Sequence, residues 1–153
     1  MSLESDIAVL KGVPLFAELD DGQLRLLAFG AEHRRLRKEE TLFRLGARAD
    51  AGFVLVAGEI ALTAGPPGHE RAVGTFGPGT IFGEMALLTE TRRPATAMAT
   101  ADCDVLRITR TLFRRMLEEY PDIAFALHQR LAEDLGRMTS DILALEERFG
   151  EGT

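Results

Sequence analysis

The pattern of apolar and polar positions in the first thirty residues predicts two short helices. Ser5 or Asp6 supplies a capping oxygen for a first helix that reaches Leu10. A second helix is predicted over 20–29, because its apolar positions recur at helical spacing and aspartates stand at its start: Asp20, Asp21, Leu24, Leu27 and Ala28. The chain therefore opens with helical structure.

Between Ala31 and Ile108, short apolar and β-branched stretches are broken by glycine every few residues, which predicts an all-β segment. The tightest turns are expected at Gly58 and in Gly65-Pro66-Pro67-Gly68. The predicted strands are Glu32 to Arg37, Thr41 to Arg44, Gly52 to Val56, Glu59 to Ala64, Arg71 to Phe76, Ala95 to Ala101 and Asp104 to Ile108. Many short strands of this kind indicate a small sandwich or jelly roll.

After Thr109 the pattern returns to helix, first over Leu112 to Glu119 and then, beyond Pro121, in a long run that ends near Phe149. Apolar residues of that run recur at spacings of four and three, as in a heptad seam: Leu131, Leu135, Met138, Ile142, Leu145 and Phe149. The seam has two explanations. The helix either packs against its own barrel or joins a second copy in a homodimer, and we favour the homodimer.

Length and composition place these elements in one domain, since 153 residues with 46% hydrophobic content fill one core. No apolar run approaches the roughly 20 residues that span a bilayer. The stretch from Met1 to Asp6 carries two acids and no base, unlike the start of a signal peptide. We therefore expect a cytoplasmic location and no attachment to a membrane by this chain.

Charge and cysteine content narrow the chemistry further. The formal net charge of −6 opposes the field that attracts nucleic acid, so no nucleic-acid partner is expected. The single cysteine, Cys103, lies between Asp102 and Asp104, whose negative charge disfavours a thiolate. We expect a buried structural cysteine.

Candidate chemistry is concentrated in Phe82-Gly83-Glu84-Met85-Ala86-Leu87-Leu88 and in the following Arg92-Arg93-Pro94-Ala95-Thr96-Ala97. Gly83 lets the backbone turn tightly and approach a ligand, and 84–88 can form one helical turn whose amides bind an anion. Arg93 supplies a planar, permanently charged fork for phosphate oxygens, and the carboxylate of Glu84 can accept a sugar hydroxyl. These residues therefore supply the groups needed to bind one phosphate and one ribose.

This stretch resembles the phosphate-binding cassette of cyclic-nucleotide-binding domains, of the type found in bacterial catabolite activators and protein kinase A regulatory subunits. Glu84 and Arg93 stand nine positions apart, as the family's glutamate and arginine do. The resemblance covers nearly the whole chain, because 38–46, Gly58-Glu59 and Pro78-Gly79 also look like the family's strand and turn markers.

The resemblance implies an α+β, mainly β fold: a double-stranded β-helix or jelly-roll barrel with short N-terminal helices and a long C-terminal helix. A single domain would occupy 1–153, with the first helices in 1–30, the barrel in 31–109 and the C-terminal helices in 110–149. The cassette would lie at 82–97. The implied function is a regulatory sensor that binds a purine 3′,5′-cyclic monophosphate and transmits binding to its C-terminal helix. Cyclic AMP is the expected ligand and cyclic GMP the second choice, with no cofactor.

By the same resemblance, Glu84 binds the ribose 2′-hydroxyl and Arg93 binds the exocyclic oxygens of the cyclic phosphate. The other expected ligand-binding residues are Gly83, Met85, Ala86, Pro94, Ala95 and Thr139, the last from the long helix and facing adenine. Pro94 departs from the family, whose members carry Ala, Ser or Thr at that position. Proline offers neither hydroxyl nor amide hydrogen, which disfavours cyclic GMP, and it biases Arg93 toward an extended backbone.

Other function classes find less support in the residues. An enzyme is not expected, because His33, His69 and His128 lack metal-ligand spacing and no serine lies in a G-x-S-x-G elbow. A transcription regulator would continue into a helix-turn-helix, and no such module is expected on this chain. The remaining alternative is a degenerate fold that serves in protein interaction or dimerisation without nucleotide, against which the intact Glu84 and Arg93 argue.

Overall fold

The computed structural model describes residues 2–122 and residue 129 of the chain. The helices of this part are α1 (Leu3–Lys11), α2 (Asp21–Gly30) and α3 (Arg110–Glu119), and two 3-10 turns span Pro14–Phe16 and Glu84–Leu87. Most of the predicted helix from Pro121 to Phe149, including its heptad seam and Thr139, lies outside the described residues.

Ten strands follow the N-terminal helices within the described part of the chain. They are β1 (Glu32–Leu36), β2 (Thr41–Phe43), β3 (Arg48–Ala49), β4 (Ala51–Ala57), β5 (Ile60–Ala64), β6 (Arg71–Phe76), β7 (Ile81–Phe82), β8 (Thr91–Arg92), β9 (Thr96–Ala99) and β10 (Cys103–Thr109). The seven predicted strands are confirmed with shifts of at most two residues at an end. The strands β3, β7 and β8 were not predicted, because two residues are too few to show an alternating pattern.

The strands form two four-stranded antiparallel sheets in the orders β1-β10-β4-β7 and β2-β9-β5-β6, and β3 pairs with β8. Most neighbouring strands come from distant parts of the chain, as when β1 pairs with β10, whereas β5 and β6 are consecutive strands of a hairpin. This wrapping is a jelly roll. The predicted fold class, mainly β with N-terminal helices, is therefore confirmed.

Two hydrophobic clusters hold these layers together. The barrel core lies between the two sheets and contains Leu36, Leu42, Phe53, Leu55, Ile60, Phe82, Ala97 and Val105. The helical core joins the helices to the outer side of the first sheet and contains Leu10, Phe16, Leu24, Val54, Leu87, Leu106, Phe113 and Met116. Leu87 belongs to the 3-10 turn, so this turn is packed directly against α3.

The ends of two helices differ from the sequence expectation. Ser2 caps α1, because its hydroxyl accepts a hydrogen bond from the amide of Ser5 at 3.1 Å. The expected caps Ser5 and Asp6 lie inside the helix, and the Asp6 carboxylate is buried 2.8 Å from Nε2 of His33. Helix α3 begins two residues before the predicted Leu112, since the hydroxyl of Thr109 caps it. None of the described helices is long and apolar enough to cross a membrane.

Candidate functional site

The predicted helical turn after Gly83 is a 3-10 turn over Glu84–Leu87. Gly83 has φ +79°, a left-handed conformation that glycine adopts without the steric cost of a side chain. Its carbonyl accepts a hydrogen bond from the amide of Ala86 at 3.0 Å, which closes the turn. The chain thereby reverses tightly at Gly83, as its position before the turn predicted.

The side chain of Arg93 lies inside the barrel rather than on its surface. Only 4% of the residue is exposed. Its Nη2 donates a hydrogen bond to the carbonyl of Ala51 at 2.8 Å. Its Cζ lies 4.5 Å from the ring centre of Phe43 and 5.4 Å from that of Phe53. The guanidinium therefore stacks on aromatic rings, an interaction that favours a cation.

The guanidinium of Arg93 retains donors that the described residues leave without a partner. Nε and Nη1 are both buried, and neither makes a hydrogen bond there. Burial lowers the pKa of Arg93, the neighbouring Asp50 charge raises it and the Arg107 charge lowers it further. A buried cation with unpaired donors costs several kcal/mol of free energy unless an anion satisfies it. The arrangement is suited to bind an anion.

Gly83 and Arg93, both predicted from the sequence, are brought together by the fold. A side chain at position 83 would overlap the Nη1 atom of Arg93. The unpaired edge of the guanidinium therefore lies directly against the backbone of the cassette turn. A ligand held by this turn would be within reach of the Arg93 donors.

A short frame of backbone hydrogen bonds fixes Arg93 in this position. Its amide donates to the carbonyl of Ala47 at 2.9 Å, and its carbonyl accepts from the amide of Gly46 at 2.8 Å. The hydroxyl of Thr96 accepts a hydrogen bond from the amide of Leu45 at 2.9 Å. The turn at 44–47 is thus joined to the second half of the cassette, and this role of Thr96 was not predicted.

The other predicted ligand-binding residues differ in their exposure. Glu84 and Met85 begin the 3-10 turn and are half-buried, whereas Ala86 and Ala95 are buried. Pro94, the residue that departs from the family pattern, is exposed. Thr139 lies outside the described residues.

Arg110 is a residue near the cassette that sequence reasoning missed. It is the first residue of α3, where a cation is disfavoured by the helix dipole. Its Nε donates to the carbonyl of Ala86 at 2.9 Å, and its Nη2 donates to the carbonyl of Ala49 at 2.8 Å. The side chain therefore ties the start of α3 to the cassette turn. The only signal in the sequence is an arginine directly after a capping threonine.

Cys103 is the buried cysteine that the sequence predicts, with 4% exposure. Its thiol donates to the carbonyl of Glu59 at 3.2 Å. Burial raises the pKa of this thiol, and the charges of Asp102 and Asp104 raise it further. The thiol is therefore a structural group rather than a nucleophile.

Comparison with known proteins gives a consistent result. A family model for the cyclic nucleotide-binding domain matches residues 33–120. A cyclic AMP receptor protein of Thermus thermophilus is 30% identical over 141 residues, which are 90% of this chain and 65% of that protein. A lysophospholipase of Aspergillus niger is 29% identical over 124 residues, which are 80% of this chain and 8% of the enzyme.

The solved structure of a cyclic nucleotide-binding-like protein from Brucella abortus has a similar fold. The TM-score is 0.68 at 44% sequence identity, and the match covers 74% of this chain and 97% of that one. The matches to the two relatives named above, in contrast, span about two thirds of the cyclic AMP receptor protein and less than a tenth of the lysophospholipase.

Proposed function

Because the chain belongs to the cyclic nucleotide-binding domain family, we propose that it is a regulatory sensor that binds cyclic AMP and transmits binding to its C-terminal helix. The observation that carries this proposal is the buried guanidinium of Arg93, whose Nε and Nη1 have no partner among the described residues.

The cyclic phosphate is the group that satisfies Arg93. A 3′,5′-cyclic phosphate carries one negative charge and two exocyclic oxygens, which can accept hydrogen bonds from a guanidinium. Binding it would pair a cation that is already dehydrated, so little further desolvation of the protein is required. The interaction also takes place away from bulk water, where the attraction between charges is stronger.

The nucleoside is recognised less directly. Glu84 stands at the first position of the 3-10 turn, next to Gly83, and we assign it the ribose 2′-hydroxyl. Pro94 favours cyclic AMP over cyclic GMP, because proline lacks the hydroxyl with which a serine or threonine at this position would contact guanine. Thr139 remains our candidate for the adenine contact.

Transmission to the C-terminal helix has a physical starting point in Arg110. This side chain bonds the carbonyl of Ala86 in the cassette turn, and its own amide donates to the carbonyl of Asp50 at 3.0 Å. A ligand that shifts the cassette turn therefore acts on the first residue of α3. The change requires that the ligand bind the two helix positions with different affinity.

A degenerate scaffold without nucleotide is the competing function. It would have no need for a buried charge with unpaired donors, since a hydrophobic residue of similar size would be more stable there. A catalytic function is not proposed, because the match to the lysophospholipase covers 8% of that enzyme. Homodimerisation through the final helix and a cytoplasmic location stay predictions from the sequence.

Titration calorimetry with cyclic AMP and with cyclic GMP tests the proposed ligand. We expect cyclic AMP to bind with micromolar affinity or better, about −8 kcal/mol, and cyclic GMP to bind more weakly. Thermal unfolding with each nucleotide provides a second readout, since a ligand of the native state raises the midpoint. Absence of heat and of stabilisation with both nucleotides at millimolar concentration would favour the scaffold.

A further inference from the structure

The ring of Phe43 is placed on Arg93 by an irregularity in its strand. In β2, Thr41 pairs with Met98 and Phe43 pairs with Ala97, so β2 carries one residue more than β9 over this interval. Such a bulge changes which side of the sheet the following residue faces, and bulges are frequent beside functional sites. Leu42 is buried in the barrel core, and Phe43 packs against the same core although it is the next residue.

The surroundings of the Arg93 guanidinium are unusual for a buried cation, because no carboxylate is bonded to it among the described residues. The neighbouring Asp50 pairs instead with Arg107, at 3.3 Å between carboxylate oxygen and Nη2. The Phe43 ring, 4.5 Å from Cζ, is the nearest aromatic support of the charge. Phe53 adds a second ring at 5.4 Å.

An aromatic ring and a carboxylate stabilise a guanidinium in different ways. The carboxylate would occupy the N–H donors, and its charge would repel an incoming phosphate. The ring attracts the cation through its face and leaves the donors at the guanidinium edge available. It also fixes the plane of the guanidinium, which makes one hydrogen bond within the described part of the chain, to the carbonyl of Ala51.

We propose that Phe43 is a positioning residue that holds the guanidinium of Arg93 in the orientation needed by the phosphate of the ligand. The inference rests on the proposed function, because it assigns Phe43 to the same anion site. Phe53 supports the arrangement from the barrel core, with its ring centre 6.1 Å from that of Phe43. Phe43 is the better probe since it is only half-buried.

The test compares Phe43→Leu with Phe43→Tyr, which remove and keep the aromatic face. We expect Phe43→Leu to weaken cyclic AMP binding about tenfold, and Phe43→Tyr to stay within about twofold of the parent. In an Arg93→Ala background, Phe43→Leu should change the affinity by less than about twofold, because the effect passes through Arg93. An equal loss in both backgrounds, or no loss in the parent, would overturn the proposal.

A second measurement needs no ligand and covers variants that bind too weakly to titrate. In the free protein, the ring current of Phe43 should shift the NMR signal of the Arg93 Nε–H group. Phe43→Leu should reduce that shift to the part contributed by Phe53, and Phe43→Tyr should keep it. An unchanged signal in a folded Phe43→Leu protein would refute the positioning role. A shifted signal in a parent that binds no cyclic AMP would instead refute the proposed function alone.

Discussion

The Nη1 atom of Arg93 lies so close to Gly83 that a Cβ atom at position 83 would overlap it unless the guanidinium moved. Gly83 also has a positive φ of 79°, so two independent constraints favour glycine there. The contact joins the two halves of the cassette, since Gly83 precedes the 3-10 turn and Arg93 follows β8. It makes the position of the guanidinium depend on the shape of the backbone turn.

Gly83→Ala is therefore expected to displace Arg93 and to weaken cyclic AMP binding by tenfold or more. The left-handed conformation alone costs about 1–2 kcal/mol of stability for alanine. Gly68→Ala is the matched control, because Gly68 has φ +85° and an added Cβ would meet no atom within 4 Å. Calorimetry should show a loss for Gly83→Ala only, and equal affinities for the two variants would contradict the role of this contact.

Arg110→Gln should separate ligand binding from its effect on α3. The substitution removes the charged donors that bond the carbonyls of Ala86 and Ala49, and we expect stability to fall by about 1–3 kcal/mol. Cyclic AMP should still bind, since Arg110 is not assigned to the ligand. The protection from hydrogen exchange that the ligand adds to α3 should shrink, within the 1–3 kcal/mol typical of coupling between sites.

Arg114→Gln is the matched control for Arg110, because it removes the same side chain one turn later on an exposed position of α3. In the Arg114→Gln protein, saturating cyclic AMP should change the hydrogen exchange of the α3 amides as much as it does in the parent. If Arg110→Gln also kept the full ligand response, transmission would have to run through another contact.

The raised pKa of Cys103 predicts a pH-dependent resistance to thiol reagents. A thiol with a raised pKa has a smaller thiolate fraction at any given pH than a free cysteine, whose pKa is about 8.5. At pH 8 the native protein should react with a disulfide reagent more slowly than the unfolded chain, and the difference should narrow as the pH rises and the buried thiol ionises. Complete reaction of the native protein within minutes would show that the thiol is accessible and ionised.

The sequence predicted those parts of the fold that depend on local patterns. The longer strands and the second helix follow from apolar periodicity and capping aspartates, and Gly83, Glu84 and Arg93 were proposed as site residues from their types and spacing. The prediction of Ser5 or Asp6 as the cap of α1 was wrong, because Ser2 is also a residue type that caps helices and the sequence alone does not choose among the three. In the structure Ser2 is the cap, and the Asp6 carboxylate instead pairs with His33 of β1.

The support of the anion site could not be predicted in the same way. Phe43 stacks on Arg93 because of the bulge in β2. A bulge interrupts the alternation of apolar and polar residues from which the side of the sheet that a residue faces is predicted. The contacts of Arg110 join residues that are 24 and 61 positions apart. Such contacts follow from how the jelly roll wraps rather than from any short segment.

The most direct test of the central claim compares Arg93→Ala with Arg92→Ala in titrations with cyclic AMP. The two arginines are neighbours, but Arg93 is buried and two of its donors have no partner among the described residues, whereas Arg92 is exposed and bonds the carbonyl of Gly46 at 3.0 Å. Loss of one partner of a desolvated charge pair costs about 2–5 kcal/mol. We predict that Arg93→Ala loses at least about thirtyfold in affinity and that Arg92→Ala binds nearly as the parent does. Unchanged affinity in a folded Arg93→Ala protein would contradict the assignment of Arg93 to the phosphate.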